Sequence, residues 1–305
     1  MTFSPSRFAL VTLLLTLAPL AAQAQNAPAA TQRDTATQDS ITVIRLRDGS
    51  VLYGRILSQD STRVRVRTMG GIETDIQRAQ ISSMARSRGR RVGTEFWAED
   101  PNGTRLLFTS TGRALGKGEG YVATYYLFFP FVAYGVTDRF TIAGGTPVIP
   151  GLIGRAFYVA PKFTLSESER AAYSVGALSF ALTDDVSAGT VGLLYGVGTW
   201  GNRDNAVTAG LGWGYAWGGD DSALSSAPVL VLGGETRVSR RVKLVTENWF
   251  YTGAIDKGGL LSGGVRFIGD RFSGDLGLIG GVGTDGVGCC VPSVNFVWNF
   301  GRKRR

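Results

Sequence analysis

Pro292-Ser-Val-Asn-Phe-Val-Trp-Asn-Phe300 decides how the rest of the chain is read. Successive side chains on a β-strand point to opposite faces. Val294, Phe296, Trp298 and Phe300 therefore share an aromatic, apolar face, and Ser293, Asn295, Val297 and Asn299 share a mostly polar one. The alternation recurs upstream. In 156–166, Phe157, Val159, Pro161, Phe163 and Leu165 fall on one face, with Tyr158, Ala160, Lys162 and Thr164 on the other. In 206–217, Val207, Ala209, Leu211, Trp213, Tyr215 and Trp217 oppose Thr208, Gly210, Gly212 and Gly214.

Glycine occupies 43 of 305 positions, about twice ordinary usage. Beyond the N-terminal region no apolar run is long enough for a transmembrane helix, so a membrane span would have to be built from strands. Lipid offers the backbone no hydrogen bonds, and only helices and closed barrels satisfy every group internally. The expected fold is all-β: a transmembrane up-and-down antiparallel β-barrel of about twelve strands, preceded by a small SH3-like or Sm-like β-module. Candidate barrel strands are 104–111, 119–134, 139–147, 156–166, 171–182, 189–200, 206–217, 227–238, 242–252, 259–268, 272–282 and 292–300. Short polar connections such as Val136-Thr-Asp138 and Gly269-Asp-Arg271 alternate with longer ones such as Val148–Arg155 and Gly218–Ser226. Membrane barrels show that alternation between periplasmic turns and outer loops. Strand 119–134 is apolar on both faces around Tyr125–Phe131, and Pro130 marks a bulge or kink there because it cannot donate to the ladder.

The first residues read as a secretory signal. Arg7 is its charged start, Phe8–Leu20 its apolar core, and Ala22-Gln-Ala24 its small-x-small end, with cleavage between Ala24 and Gln25. The expected organisation is a signal at 1–24, a leader at 25–40, a β-module at 41–85, a linker at 86–103, the barrel at 104–301 and a basic tail at 302–305. Within the module, Ile41–Arg47, Val51–Leu57, Arg63–Thr68, Ile72–Ile76 and Ile81–Met84 read as strands. Asp48-Gly49 and Gly70-Gly71 supply the positive-φ positions of tight turns. The pattern Leu46-x-x-Gly49-x4-Gly54-x-Ile56-x3-Asp60 resembles the first motif of Sm-like domains, though the asparagine usual after the aspartate is missing. That resemblance implies a small barrel that can bind RNA; export removes the partner, and nucleic acid is not expected.

Three stretches carry a second resemblance: Arg105-Leu-Leu-Phe108, Leu115-Gly-Lys-Gly-Glu-Gly-Tyr121 and Tyr134-Gly-Val-Thr-Asp-Arg-Phe-Thr-Ile-Ala-Gly-Gly145. From Thr104 onward the chain resembles a family of uncharacterised bacterial outer-membrane barrel proteins. The resemblance implies a fold and an outer-membrane location; an even count of twelve strands would put both chain ends, and the small module, in the periplasm. It implies no activity.

The net charge of +8 is unevenly placed: +7 lies in 41–91 and +4 in 302–305, while 92–301 sums to −3. Arg63, Arg65, Arg67, Arg88, Arg90 and Arg91 form the expected basic periplasmic patch, whose partners would be anionic headgroups, peptidoglycan or a periplasmic protein. Charges inside strands are informative, because a cation facing lipid near the midplane costs about 2–4 kcal/mol. Lys162, Glu235, Arg237, Lys243, Glu247, Arg266 and Asp275 must therefore face the lumen. The candidate site is an interior ionic network of Lys162, Glu235, Arg237, Glu247, Arg266 and Asp275, in which Lys162, Glu235, Glu247 and Arg266 pair.

The chain has no histidine, which excludes Ser-His-Asp and Asp-His schemes. Asp184-Asp185 and Asp220-Asp221 read as solvated loop acids, and Cys289-Cys290 as two small apolar loop residues. No cofactor, metal site or enzymatic activity is expected. The leading expectation is a passive or weakly selective channel for a small solute or lipid. The alternative is a non-transporting structural protein that anchors a basic module to the cell wall or a periplasmic partner.

Overall fold

The computed structural model describes residues 41–301 except 88, 94, 184–188, 219–220, 253–256 and 284–285. The signal, its Ala24–Gln25 junction, the leader, Arg88, the acids at 184, 185 and 220, and the basic tail lie outside the described residues.

Strands β1 (Ile41–Leu46), β2 (Val51–Gln59), β3 (Arg63–Thr68), β4 (Glu73–Gln77) and β5 (Ile81–Ser87) form one antiparallel sheet in the order β4-β3-β2-β1-β5. Ile44, Val64, Val66 and Ile76 are its buried core, and along β3 the exposed Arg63, Arg65 and Arg67 alternate with Val64 and Val66. Among the described residues β4 and β5 do not pair with each other, so the unit is a five-stranded sheet with two free edges. A hairpin of β6 (Gly89–Val92) and β7 (Glu95–Ala98) follows, in the stretch expected to be a linker.

The larger sheet closes on itself. Its wall is β8 (Glu119–Tyr125), β9 (Phe129–Gly135), β10 (Phe140–Gly145), β11 (Ala156–Glu167), β12 (Ala171–Leu182), β13 (Gly189–Gly201), β14 (Asn205–Gly218), β16 (Val229–Ser239), β17 (Val242–Thr252), β18 (Lys257–Ile268), β19 (Phe272–Gly283) and β20 (Gly286–Gly301). A short β15 (Asp221–Leu224) extends β14 into a loop. Each strand pairs antiparallel with its neighbours, and β20 returns to β8, so twelve strands make an up-and-down barrel without edges.

Two departures from the sequence reading cancel in that count. Segment 104–111 is not in the wall; it lies inside the barrel. Segment 119–134 is two strands, β8 and β9, joined by Tyr126-Leu-Phe128. Tyr126 and Leu127 turn the chain at φ 49° and 66°, a left-handed conformation that non-glycine residues rarely adopt. Pro130 sits opposite Thr124 as the second residue of β9, at the strand's start, where a missing N–H is tolerated.

The wall faces as expected. Phe157, Val159, Phe163, Leu165, Val207, Leu211, Trp217, Phe296 and Trp298 are exposed outward, and Lys162, Thr164, Thr208, Ser293, Asn295 and Val297 are buried inward. An apolar exterior of this kind is stable only against hydrocarbon. Tyr134, Tyr173, Trp200, Phe272 and Trp298 ring the short-turn end, and the Trp200 indole N–H donates to the Tyr173 hydroxyl at 2.8 Å. Both ends of the barrel chain lie at this short-turn end. The five-stranded sheet meets the same end through an Arg45–Asp270 ion pair. Asp204, in a short turn, is held between Arg90 at 2.5 Å and Arg237 at 2.9 Å, and both guanidinium groups lie 5.3 Å from the Trp97 ring. Cys290 is disulfide-bonded, which corrects its reading as a small apolar loop residue.

Candidate functional site

Residues 99–118, between β7 and β8, run through the lumen. Leu106, Leu107, Arg105, Asn102 and Thr111 are almost wholly buried there, although they belong to no strand. A tight loop shapes the segment: Leu106 N–H donates to the Thr109 carbonyl at 2.8 Å and Thr111 N–H to the Thr104 carbonyl at 2.9 Å. Backbone inside a barrel has no water-exposed ladder to join, so the wall must supply its partners. Gly112 shows how closely it packs: a Cβ there would stand 2.2 Å from the Ala172 carbonyl oxygen of β12.

Charged partners come from β16 to β19. Arg266 makes a two-pronged pair with Asp275, its cross-strand neighbour, through Nε at 2.6 Å and Nη2 at 3.1 Å. Its remaining donors reach the Leu106 carbonyl at 2.6 Å and the Asn102 and Arg105 carbonyls at 3.1 and 3.2 Å. Arg105 donates at 2.9 Å to Asp275 Oδ2, the oxygen that Arg266 Nη2 also reaches. Glu235 accepts from Arg113 at 2.6 Å and from Lys243 at 3.0 Å, and Lys243 also reaches Asp100 at 2.7 Å.

Glu247 acts differently. Its buried carboxylate accepts from Phe108 N–H at 2.9 Å, Thr109 N–H at 3.0 Å, the Thr109 hydroxyl at 2.6 Å and the Trp249 indole at 2.7 Å. On the far wall, the Lys162 ammonium donates to the Thr111 and Arg113 carbonyls at 3.1 and 2.7 Å. Ser174, Thr199 and Asn295 complete the ring with bonds to Gly112 and Leu107.

All six residues of the candidate interior set are buried in the lumen. Arg266–Asp275 is the direct ion pair among them. Glu235 pairs with Arg113 and Lys243, and Arg237 with Asp204. Among the described residues, Lys162 and Glu247 have no ion pair within 4 Å. The sequence reading missed Asp100, Arg105 and Arg113, which belong to the lumenal segment. The available signal was Leu106-Leu107-Phe108, three consecutive apolar residues that do not alternate with polar ones. Of the basic patch, Arg63, Arg65 and Arg67 lie along β3, with Glu73 bridging the last two at 3.1 and 2.6 Å. Arg90 is drawn away to Asp204, and Arg91 donates to the Gly93 carbonyl at 2.9 Å.

The other half of the lumen is apolar. Tyr121, Tyr125, Phe131, Tyr158 and Phe180, from β8, β9, β11 and β12, form a ladder of ring contacts 4.8–6.3 Å apart. That ladder accounts for the double-faced apolarity of 119–134: one face meets lipid and the other lines a cavity of about 370 Å³ beside the lumenal segment.

A closed twelve-stranded barrel with an apolar exterior and a lumen filled by its own connector is an outer-membrane β-barrel protein of the plugged kind. No family model matches the chain. No curated protein matches it either. Two solved structures of Vibrio cholerae OmpT are similar in fold, one expressed in the outer membrane and one folded in vitro as a trimer. They are 10% identical, with TM-scores of 0.37 and 0.36, and the alignments cover 86% of this chain and 95% and 96% of theirs. A likeness at that level carries no argument about activity. The expectation that the chain is not an enzyme does not stand: a missing histidine removes imidazole-based schemes alone. Catalysis as a class is not excluded.

Proposed function

We propose that this is a closed outer-membrane barrel that keeps its lumen shut to ions and holds its N-terminal sheet on the periplasmic side. The observation that carries this reading is the ring of buried bonds around residues 99–118, supplied from β11, β12, β13, β16, β17, β18, β19 and β20. A passive channel would need a continuous polar path, and the connector occupies it. Short turns mark the periplasmic end of such barrels. On this reading the five-stranded sheet and both ends of the barrel chain are periplasmic, and residues 1–24 are the export signal. Arg63, Arg65 and Arg67 then face the cell wall as a surface for an anionic polymer, in keeping with an SH3-like or Sm-like module.

Single-channel recording of residues 25–305 in a planar bilayer tests the closed lumen. Inserted protein should show a heat-shifted band on a gel and no discrete conductance steps. Replacing the lumenal stretch 104–113 with a Gly-Ser linker of equal length should produce steps. Regular steps from the unaltered protein would overturn the reading.

A further inference from the structure

The cavity beside the lumenal segment has a built interior. Thr141 and Lys162 are register partners on β10 and β11, both line the cavity, and they are 6% and 4% exposed. Among the described residues the Thr141 hydroxyl has no hydrogen-bond partner. Lys162 spends two of its three ammonium hydrogens on carbonyls of the lumenal segment. Among the described residues, the buried lumenal cations Arg105, Arg113, Arg237, Lys243 and Arg266 each have a carboxylate within 4 Å, and Lys162 has none. Glu167, whose field reaches Lys162, is engaged by Ala114 N–H at 3.0 Å and by Arg203 at 3.5 Å. A buried cation without a counter-charge, next to an unpartnered hydroxyl, is a seat for an anionic group.

Space leads away from that seat toward the long-loop end. The next inward pair along β10 and β11 is Ala143 and Ala160, and Gly210 and Gly212 stand on the lumenal face of β14. Beyond them the lining is carbon, from Leu178, Phe180, Leu193 and Val231. A volume of about 370 Å³ falls within the range of small-molecule pockets, about 300–1,000 Å³. The wall is also low on this side. Strands β8, β9 and β10 have seven, seven and six residues, whereas about nine to eleven are needed to cross the hydrocarbon core. Leu127 and Phe128, exposed at their lip, lie next to the cavity-lining Tyr126 and Phe129.

We infer that the cavity binds a single-chain amphiphile with a carboxylate head, such as a long-chain fatty acid. The carboxylate meets Lys162 and Thr141, the chain lies between the alanine and glycine walls, and entry is from the bilayer over the lip at Tyr126–Phe128. The inference rests on the lumenal segment forming the cavity floor, so conductance of every variant is recorded alongside.

The test is binding of radiolabelled hexadecanoate and hexadecanol to the full barrel in lipid nanodiscs. Wild-type protein should take up about one hexadecanoate per barrel. Lys162→Met should weaken hexadecanoate at least tenfold and leave hexadecanol within twofold. Ala160→Phe, which fills the cavity without touching the cation, should abolish both while keeping the heat-shifted band. Phe128→Lys should slow uptake of hexadecanoate preloaded into the bilayer and leave uptake of octanoate from water unchanged. Wild-type binding no greater than that of Ala160→Phe would overturn the site. Equal losses of acid and alcohol in Lys162→Met would overturn the carboxylate seat. Unchanged loading in Phe128→Lys would overturn entry from the bilayer. Conductance steps in wild type would instead fail the closed-lumen reading, which the binding data do not test.

Discussion

Arg113, on a segment that belongs to no strand, donates to Glu235 of β16 at 2.6 Å in a pair shut off from solvent. The two are 122 positions apart in the chain. Removing one partner of such a pair leaves a buried charge uncompensated and costs about 3–5 kcal/mol, whereas replacing both with apolar groups costs less. Glu235→Gln should therefore lower the unfolding midpoint of the refolded barrel in urea. The double change Glu235→Leu with Arg113→Met should recover part of that loss. A double variant weaker than the sum of the singles would refute the coupling.

Glu247 holds the tip of the lumenal loop, among the described residues without an ion pair, through donors that all need an acceptor. Glutamine keeps one acceptor and turns a donor toward donors, and hydrogen bonds to a charged group are worth about 1.5–3 kcal/mol each. Glu247→Gln should lower the temperature at which the folded band disappears on a gel. An unchanged profile would mean the loop is held by other contacts.

Leu276 lies mid-strand on β19 with its side chain on the outer face. Leu276→Arg should destabilise the barrel in a bilayer by about 2–4 kcal/mol. Ile72→Arg, also at an exposed position but in the β3–β4 turn of the N-terminal sheet, should be neutral to within about 0.5 kcal/mol. Similar effects at both positions would count against a lipid-facing exterior.

Asp60 closes the β2–β3 turn. The Thr62 hydroxyl, then the Thr62 and Arg63 backbone N–H groups, hold its carboxyl below the ordinary aspartate value. A depressed folded value means the stabilisation is complete above about pH 4 and fades as pH falls through that lower value. Hydrogen exchange at residues 60–63, corrected for intrinsic rates, should show protection falling in that acid window. Asp60→Asn, which keeps the acceptor and loses the titration, should flatten the profile; a wild-type profile that is already flat would refute the assignment.

The five strands of the N-terminal sheet were legible because Asp48-Gly49 and Gly70-Gly71 punctuate them, and because Val64, Val66 and Ile76 alternate with charges. Most of the barrel wall was legible for the same reason: lipid outside and polar groups inside write a period of two into 156–167 and 292–300. The Tyr126–Phe128 turn was not, since it uses left-handed tyrosine and leucine where glycine or asparagine would have signalled a break. Its strands were concealed further by an inward face of Tyr121, Tyr125 and Phe131 that serves a cavity.

Local chemistry along the chain, then, determined the strands, the faces and the lumenal position of Lys162, Glu235, Arg237, Glu247, Arg266 and Asp275. Their partners were decided only in three dimensions. Arg105 and Arg113 find Asp275 and Glu235 across 170 and 122 positions of chain. A period of two reports which way a side chain points but not what stands opposite it. In a closed barrel, what stands opposite is set by circumference, register and the path of a connector with no period of its own.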